Sequence, residues 1–184
     1  MNGVCVFGAL TSVGALFLLC GANMKSCSFI GHRNTKQTKE LCDEVRKTVF
    51  LLIEKEGVTR FLFGSASAFD DLCVKTVKEL QKKYEEIQLI YVRAGDPQIT
   101  NLYKAYLLET YDDTMMPNGV GKSGKASYIK RNQAMIDESA FCVFYYDETY
   151  TPNGRKSGTK LAYEYAKKTG KKIINLYKAT KESE

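Results

Sequence analysis

Five short apolar runs alternate with stretches of helical periodicity, and this alternation constrains the fold more than any other feature of the chain. The runs consist of consecutive apolar residues, as expected for strands that are buried on both faces of a parallel sheet. They cover residues 27–31, 60–64, 87–92, 140–146 and 172–177. Strands that alternate with helices form βαβ units, whose helices cover both faces of the sheet. The sequence therefore predicts an α/β fold, a three-layer sandwich with a mainly parallel central sheet.

The segments between these runs have apolar residues at helical spacing. After the first run, such residues share one face at Leu41, Val45, Val49 and Leu52. Further helices are predicted over 67–84, 125–138 and 159–169, whereas residues 93–124 are less regular. In that region the spacing of Tyr103, Tyr106, Leu107 and Tyr111 predicts a short helix. The segment "TMMPNGVGKSGK", which starts at position 114, is predicted to be a loop.

The first 23 residues have two interpretations. Residues 3–22 contain no charged side chain, and a segment of this length can span a bilayer. Basic residues follow it, so a membrane anchor would leave the rest of the chain in the cytoplasm. Alternatively, Met24 is the true start and the preceding segment is mis-assigned. Either way, we predict a single domain over residues 24–184, preceded by an apolar segment over 1–23.

The amino-acid composition limits which ligands and partners we expect for this protein. The chain has 184 residues, 44% of them apolar and 26% charged, which is typical of a globular protein. Its net charge of +6 favours anionic ligands, but no arginine-rich tract is present, so a nucleic-acid partner is not expected. The six cysteines are dispersed and form no C-x-x-C pair. They predict no zinc site and no disulfide framework, and they indicate a reducing, cytoplasmic compartment.

Polar and small residues follow the predicted strands, where an open parallel sheet binds its ligands. The candidate ligand-binding residues from these positions are Gly31, His32, Arg33, Gly64, Ser65, Ser67, Asp70, Asp147, Ser157, Gly158 and Thr159. Glycines let a ligand approach the backbone, and helix starts at Ser67 and Thr159 offer free N–H groups to a phosphate. Arg33 can pair with phosphate, and Asp70 can hold ribose hydroxyls or simply cap the second helix. The pattern predicts a site for a phosphorylated ribose or a nucleotide.

Two nucleotide-binding motifs are excluded. The segment "GVGKSG" (119–124) looks like the end of a P-loop, but the spacing places Met116 where the motif needs its first glycine. No G-x-G-x-x-G pattern follows the first strand, so a standard dinucleotide-cofactor site is not supported. Neither a cofactor nor a metal is predicted.

Five segments together resemble the SLOG superfamily, a Rossmann-like group that includes DprA-type DNA-processing proteins and Lonely-guy hydrolases. They are "FIGHR" (29–33), "FGSASAFDDLC" (63–73), "KRNQAMID" (130–137), "CVFYYDE" (142–148) and "SGTKLAYEYAKKTGKKIINLY" (157–177). Within the group they look most like the small YpsA/YspA-like proteins, whose function is largely unknown. The resemblance implies binding of a nucleotide or derivative, such as an ADP-ribose species or a nucleoside monophosphate. It also implies that Arg131 and Asn132 reach the site from the helix before the fourth strand.

The sequence departs from the motif of the Lonely-guy hydrolases. In that motif a catalytic Glu follows the phosphate-binding Thr by three residues. Ala162 occupies that position here, and Glu164 is displaced by about 200° around the helix. The first expectation is therefore a non-catalytic sensor or sequestering module. The alternative is a phosphoribohydrolase-like N-glycosidic hydrolase of nucleoside 5'-monophosphates, with Arg131 and either Asp70 or Glu164 as catalytic candidates. A DprA-like, DNA-associated role ranks last.

Tyrosines are frequent near the predicted site and in the irregular segment. They are Tyr103, Tyr106, Tyr111, Tyr145, Tyr146 and Tyr150. Such side chains suit ligand stacking or a subunit interface, and they leave a homo-oligomer open. They are equally consistent with ordinary cover for the core.

Overall fold

The computed structural model describes residues 24–95, 98–121, 124–150, 152 and 156–177, so both interpretations of the first 23 residues lie outside it. The strands in this part of the chain are β1 (Lys25–Gly31), β2 (Val58–Phe63), β3 (Gln88–Val92), β4 (Asp113–Met115), β5 (Phe141–Tyr145) and β6 (Lys172–Asn175). The helices are α1 (Lys39–Glu54), α2 (Ala68–Gln81), α3 (Asn101–Leu108), α4 (Lys125–Glu138) and α5 (Gly158–Lys168).

The six strands form one sheet in the order β4-β3-β2-β1-β5-β6, and every neighbouring pair is parallel. The predicted α/β fold is therefore confirmed, with a sheet that is parallel throughout. The chain first adds strands on one side of β1 and then crosses over to add β5 and β6 on the other side. The strand order reverses between β1 and β5, which is the place where sheets of this kind leave a crevice at their carboxyl edge.

Helices cover both faces of the sheet because the strands are apolar on both faces. On one face Phe29, Phe61 and Phe63 pack against the buried stripes of α1 and α2. On the other face Ile30 and Phe144 meet Ala162 of α5 in a second cluster, and Leu62 with Met135 of α4 belongs to a third. The apolar runs of the sequence are thus the middle layer of a three-layer sandwich.

Strand β4 was not predicted, because its residues lie in the irregular segment and in the expected loop. It has three residues, Asp113, Thr114 and Met115, none of which is buried, so it has no apolar run to mark it. Pairing with the buried strand β3 makes it a strand, and the Arg93 N–H extends this pairing by donating to the Met115 carbonyl over 2.8 Å. Tertiary pairing determines this edge strand more than local propensity does.

Two further features of the described residues bear on the sequence predictions. Cys27, Cys73 and Cys142 are buried free thiols within the sheet and α2, as expected for small apolar core residues. The helices in the described part of the chain include none that combines the length and apolar character needed to cross a bilayer.

The aromatic layer between β1 and β2 provides a test of this core. Phe63 is fully buried, and its ring stacks on that of Phe29 with centroids 5.1 Å apart. We expect Phe63→Ala to lower the free energy of unfolding by about 3–5 kcal/mol, because it removes a large buried side chain and leaves a cavity. Urea denaturation measures this change. The control Leu102→Ala removes a side chain that is 82% exposed and should stay within about 0.5 kcal/mol of wild type. Equal effects of the two substitutions would contradict the assignment of this core.

Candidate functional site

A cleft of about 500 Å³ lies over the carboxyl ends of β1 and β2, between the starts of α2 and α5. Its volume is within the usual range for small-molecule sites. Most of the candidate ligand-binding residues line it, namely Gly31, His32, Arg33, Gly64, Ser65, Ser67, Arg131, Asn132, Ser157, Gly158 and Thr159. Asp70 and Asp147 are not among the lining residues. The structure therefore brings together residues that are far apart in the sequence, at the edge of the sheet where they were expected to meet.

Arg131 of α4 is a buried cation in the wall of this cleft. It is 3% exposed, and its Nη1 donates to the Val92 carbonyl at 3.2 Å while its Nε donates to Asn132 Oδ1 at 2.9 Å. The guanidinium packs on the α-carbon of Gly64, where a Cβ atom would lie 2.5 Å from Nη1. Burial lowers the pKa of Arg131, but an arginine remains protonated in a protein. Gly64 is thus needed because the guanidinium occupies the space of a side chain.

Asp70 lies behind the cleft and is only 1% exposed. Its Oδ2 accepts hydrogen bonds from the hydroxyls of Ser65 and, at 2.9 Å, Ser67, whereas the buried Oδ1 has no partner among the described residues. Burial raises the pKa of Asp70 to about 6, although the two hydroxyls and the charge of Arg131 oppose the shift. The Asp70 N–H also donates to Ser67 Oγ, so this residue completes the N-cap of α2 as the sequence allowed.

Two helices start at the cleft, and both are held against Gly31 at the end of β1. Helix α5 begins after the N-cap Ser157, and its second residue, Thr159, donates from its hydroxyl to the Gly31 carbonyl at 2.9 Å. From α2, the ring of Phe69 leaves so little room that a Cβ atom on Gly31 would lie 2.4 Å from it. The positive ends of two helix dipoles therefore face the same space, which favours an anion there.

His32 lines the cleft, but its Nε2 is not available to act as a base. That nitrogen accepts a hydrogen bond from the Asp147 N–H at 3.0 Å, and the ring packs on Tyr150 with centroids 4.4 Å apart. Burial lowers the pKa of His32, so we assign it as neutral with its proton on Nδ1. The Asp147 carboxylate accepts from both the N–H and the hydroxyl of Thr149, and thus shapes the turn after β5.

Of the three candidate catalytic residues, one lines the cleft. Arg131 is in the wall, Asp70 is buried behind it, and Glu164 does not contribute to it. Glu164 is exposed and forms an ion pair with Lys156 at 2.9 Å, and the hydrogen bond from Lys156 lowers its pKa. The arrangement can hold an anion, but it places no carboxylate of the described residues in the lining.

Sequence reasoning missed two tyrosines that line the cleft, Tyr91 and Tyr128. Tyr91 is the next-to-last residue of β3, and Tyr128 lies three residues before Arg131 on α4, with the guanidinium 5.9 Å from its ring centre. That helical spacing was the available signal, since residues three apart share a helix face. The described His, Cys, Asp and Glu side chains include no group of three that could hold a metal ion.

Comparison with known proteins identifies a relative. The chain is 30% identical over 146 residues to the uncharacterized SPbeta prophage-derived protein YoqJ of Bacillus subtilis strain 168. The matched region covers 71% of this chain and 82% of that protein. The chain belongs to the YoqJ family. No protein-family model matches it.

A solved structure has a fold similar to that of this chain. The DNA processing protein A (DprA) of Streptococcus pneumoniae superposes with a TM-score of 0.56 at 13% identity, over 82% of this chain and 49% of that protein. The chain thus spans about half the length of DprA, and the similarity concerns the fold. It supports the Rossmann-like, DprA-like fold, while membership of the SLOG superfamily and of its YpsA/YspA branch stays a prediction. A probable mandelate racemase from Alicyclobacillus acidocaldarius gives a TM-score of only 0.31 at 12% identity, over 83% of this chain and 42% of that protein.

The buried carboxyl behind the cleft makes a testable contribution to stability. Because the pKa of Asp70 is about 6 in the folded protein and about 3.9 in an unfolded chain, ionising it destabilises the fold as the pH rises. We expect the free energy of unfolding of wild type to fall by about 2 kcal/mol relative to that of Asp70→Asn between pH 4 and pH 7. Urea denaturation of both proteins across this range measures the difference, and parallel pH profiles would contradict a raised pKa.

Proposed function

We propose that this domain binds a nucleotide or nucleotide derivative of the NAD or ADP-ribose kind and acts as a sensor or sequestering module. The observation that carries the proposal is the convergence on one cleft of two helix N-termini and the buried guanidinium of Arg131. Each of these features favours a phosphate in the cleft. The position at the reversal of strand order supports the same proposal.

The start of α5 is the better candidate for the phosphate contact. The first N–H groups of a helix have no acceptor within the helix, and in α5 they belong to Gly158, which is exposed, and Thr159. In α2 the corresponding N–H of Ala68 already donates to the Arg33 carbonyl at 3.0 Å. A phosphate at α5 would leave the rest of the ligand to extend along the floor at Gly64.

Aromatic side chains at the mouth of the cleft suit a nucleoside base. Tyr128 is 61% exposed and Tyr150 is 44% exposed, and both line the cleft. Exposed rings beside a phosphate site offer stacking surfaces that every base can use. Binding by phosphate contacts and stacking would select nucleotides as a class.

Binding is favoured over hydrolysis because of where the carboxylates lie. Cleavage of an N-glycosidic bond needs an acid or base within hydrogen-bond reach of the leaving group or the attacking water. The described residues that line the cleft include no Asp or Glu. A hydrolase would therefore depend on Asp70 moving out from behind Ser65, and this alternative is tested by looking for product. A DNA-associated role rests on the DprA-like fold alone and predicts salt-dependent binding to single strands.

The proposal is tested by thermal melting of the full chain with AMP, ADP-ribose and NAD, followed by chromatography of each ligand. We expect a concentration-dependent rise in melting temperature with at least one ligand, which is recovered intact. Recovery of free base would instead identify a hydrolase. If none of the three ligands raises the melting temperature at millimolar concentration, the proposal is wrong.

Arg131 should carry much of this binding. We expect Arg131→Lys to weaken the affinity for the bound nucleotide more than tenfold, because lysine loses the planar fork that pairs with phosphate. Isothermal titration calorimetry measures the change. The matched control is Arg60→Lys, since Arg60 lies at the start of β2, on the opposite edge of the sheet. Equal affinities of the two variants would remove Arg131 from the site.

A further inference from the structure

A second cleft lies beside the first, between α2 and α3. It has a volume of about 730 Å³, larger than that of the first cleft, and its walls carry tyrosines and lysines. The proposed function leaves this space without an occupant. Its walls come from helices that the chain adds beside β2 and β3, so it extends from the carboxyl edge of the sheet along α2.

The two clefts adjoin each other, and together we call them the groove. Ser65, Ala66 and Tyr91 line both of them. A smaller hollow of about 170 Å³ lies at the junction, where Arg131 contributes from the side of the first cleft and Tyr103 from the side of the second. A ligand held in the first cleft can therefore extend into the second without leaving the protein surface, and it would pass Arg131 on the way.

Four tyrosines line the second cleft, and two of them, Tyr91 and Tyr111, are half-buried with their ring centroids 5.0 Å apart. The other two, Tyr103 and Tyr106 of α3, form an aromatic platform, in which the rings stack with centroids 6.3 Å apart and an angle of 19° between their planes. They remain 42% and 64% exposed, which leaves ring surface for a further aromatic group. Stacking on such a platform is sequence-tolerant, because every base has a π-face. These two exposed rings together offer a stacking surface for an additional base.

The α2 wall of this cleft is mixed in charge. Lys75, Lys78 and Lys82 line it together with Asp71 and Glu79. The charge of Glu79 is compensated by Arg46 of α1 at 3.0 Å, so the balance is cationic. A cationic balance of this size suits a ligand that brings one or two phosphates.

We propose that the groove binds a dinucleotide, with its first nucleotide unit in the first cleft and its second base on Tyr103 and Tyr106. This inference rests on the proposed function and narrows its ligands to those with two bases, by adding a second base site. The linking phosphate passes the junction, which Arg93 and Arg131 both line, and Lys75 of α2 lines the second cleft beyond it. A mononucleotide would leave the platform empty.

The test compares the affinities of the full chain for AMP and for the 5'-phosphorylated adenine dinucleotide pApA by isothermal titration calorimetry. We expect pApA to bind at least tenfold more tightly than AMP. Tyr103→Ala and, separately, Lys75→Gln should each weaken pApA binding at least threefold while the affinity for AMP changes less than twofold. The matched controls are Leu102→Ala, on the exposed side of the same helix, and Lys167→Gln, on α5 away from both clefts. Both controls should bind pApA as wild type does.

The outcomes separate this inference from the proposed function. Equal affinities for AMP and pApA would overturn the dinucleotide assignment and leave nucleotide binding in the first cleft intact. Failure of both ligands to bind would contradict the proposed function and, with it, this inference. An affinity that rises more than tenfold from pApA to a twelve-nucleotide single strand would replace the dinucleotide with a nucleic acid. Equal losses in Tyr103→Ala and Leu102→Ala would also overturn the role of the platform.

Discussion

The contact between the guanidinium of Arg131 and the α-carbon of Gly64 is the interaction on which the cleft depends. It brings α4 against the end of β2, and the hydrogen bond to the Val92 carbonyl extends the contact to β3. A buried cation is costly unless it is hydrogen-bonded and lies near a compensating charge, and Asp70 of α2 provides that charge. One side chain therefore links two helices and two strands, and this linkage holds the floor of the cleft open.

The topology explains why these groups meet. Strand β2 leads into α2 on one face of the sheet, whereas β5 leads into α5 on the other face. Because β1 lies between β2 and β5, α2 and α5 begin on either side of its carboxyl end. Gly31 fixes the separation between them, since Phe69 packs on its α-carbon and Thr159 donates to its carbonyl. The fold thus positions two helix N-termini over the first cleft before any ligand is present. The second cleft lies between α2 and α3.

Much of this site was predictable because the carboxyl ends of parallel strands meet at one edge. Residues that follow the apolar runs, such as Gly64 and Ser157, were placed correctly by that rule alone. The rule does not give the direction in which a side chain points. It therefore did not predict that Asp70 lies behind the cleft, or that the Asp147 carboxylate accepts a hydrogen bond from Thr149 in the turn after β5. Strand β4 was missed because its pairing with β3, a tertiary effect, determines it. Tyr128 was missed although its spacing of three residues from Arg131 on α4 was a local signal.

We propose that Arg131 and the start of α5 together hold phosphate. A crystal structure of the full chain grown with saturating ADP-ribose tests this proposal. We expect phosphate oxygens within about 3 Å of both the guanidinium and the first N–H groups of α5, with Gly64 beneath the ligand. Density for ADP-ribose elsewhere on the surface, or an empty cleft at saturation, would contradict it.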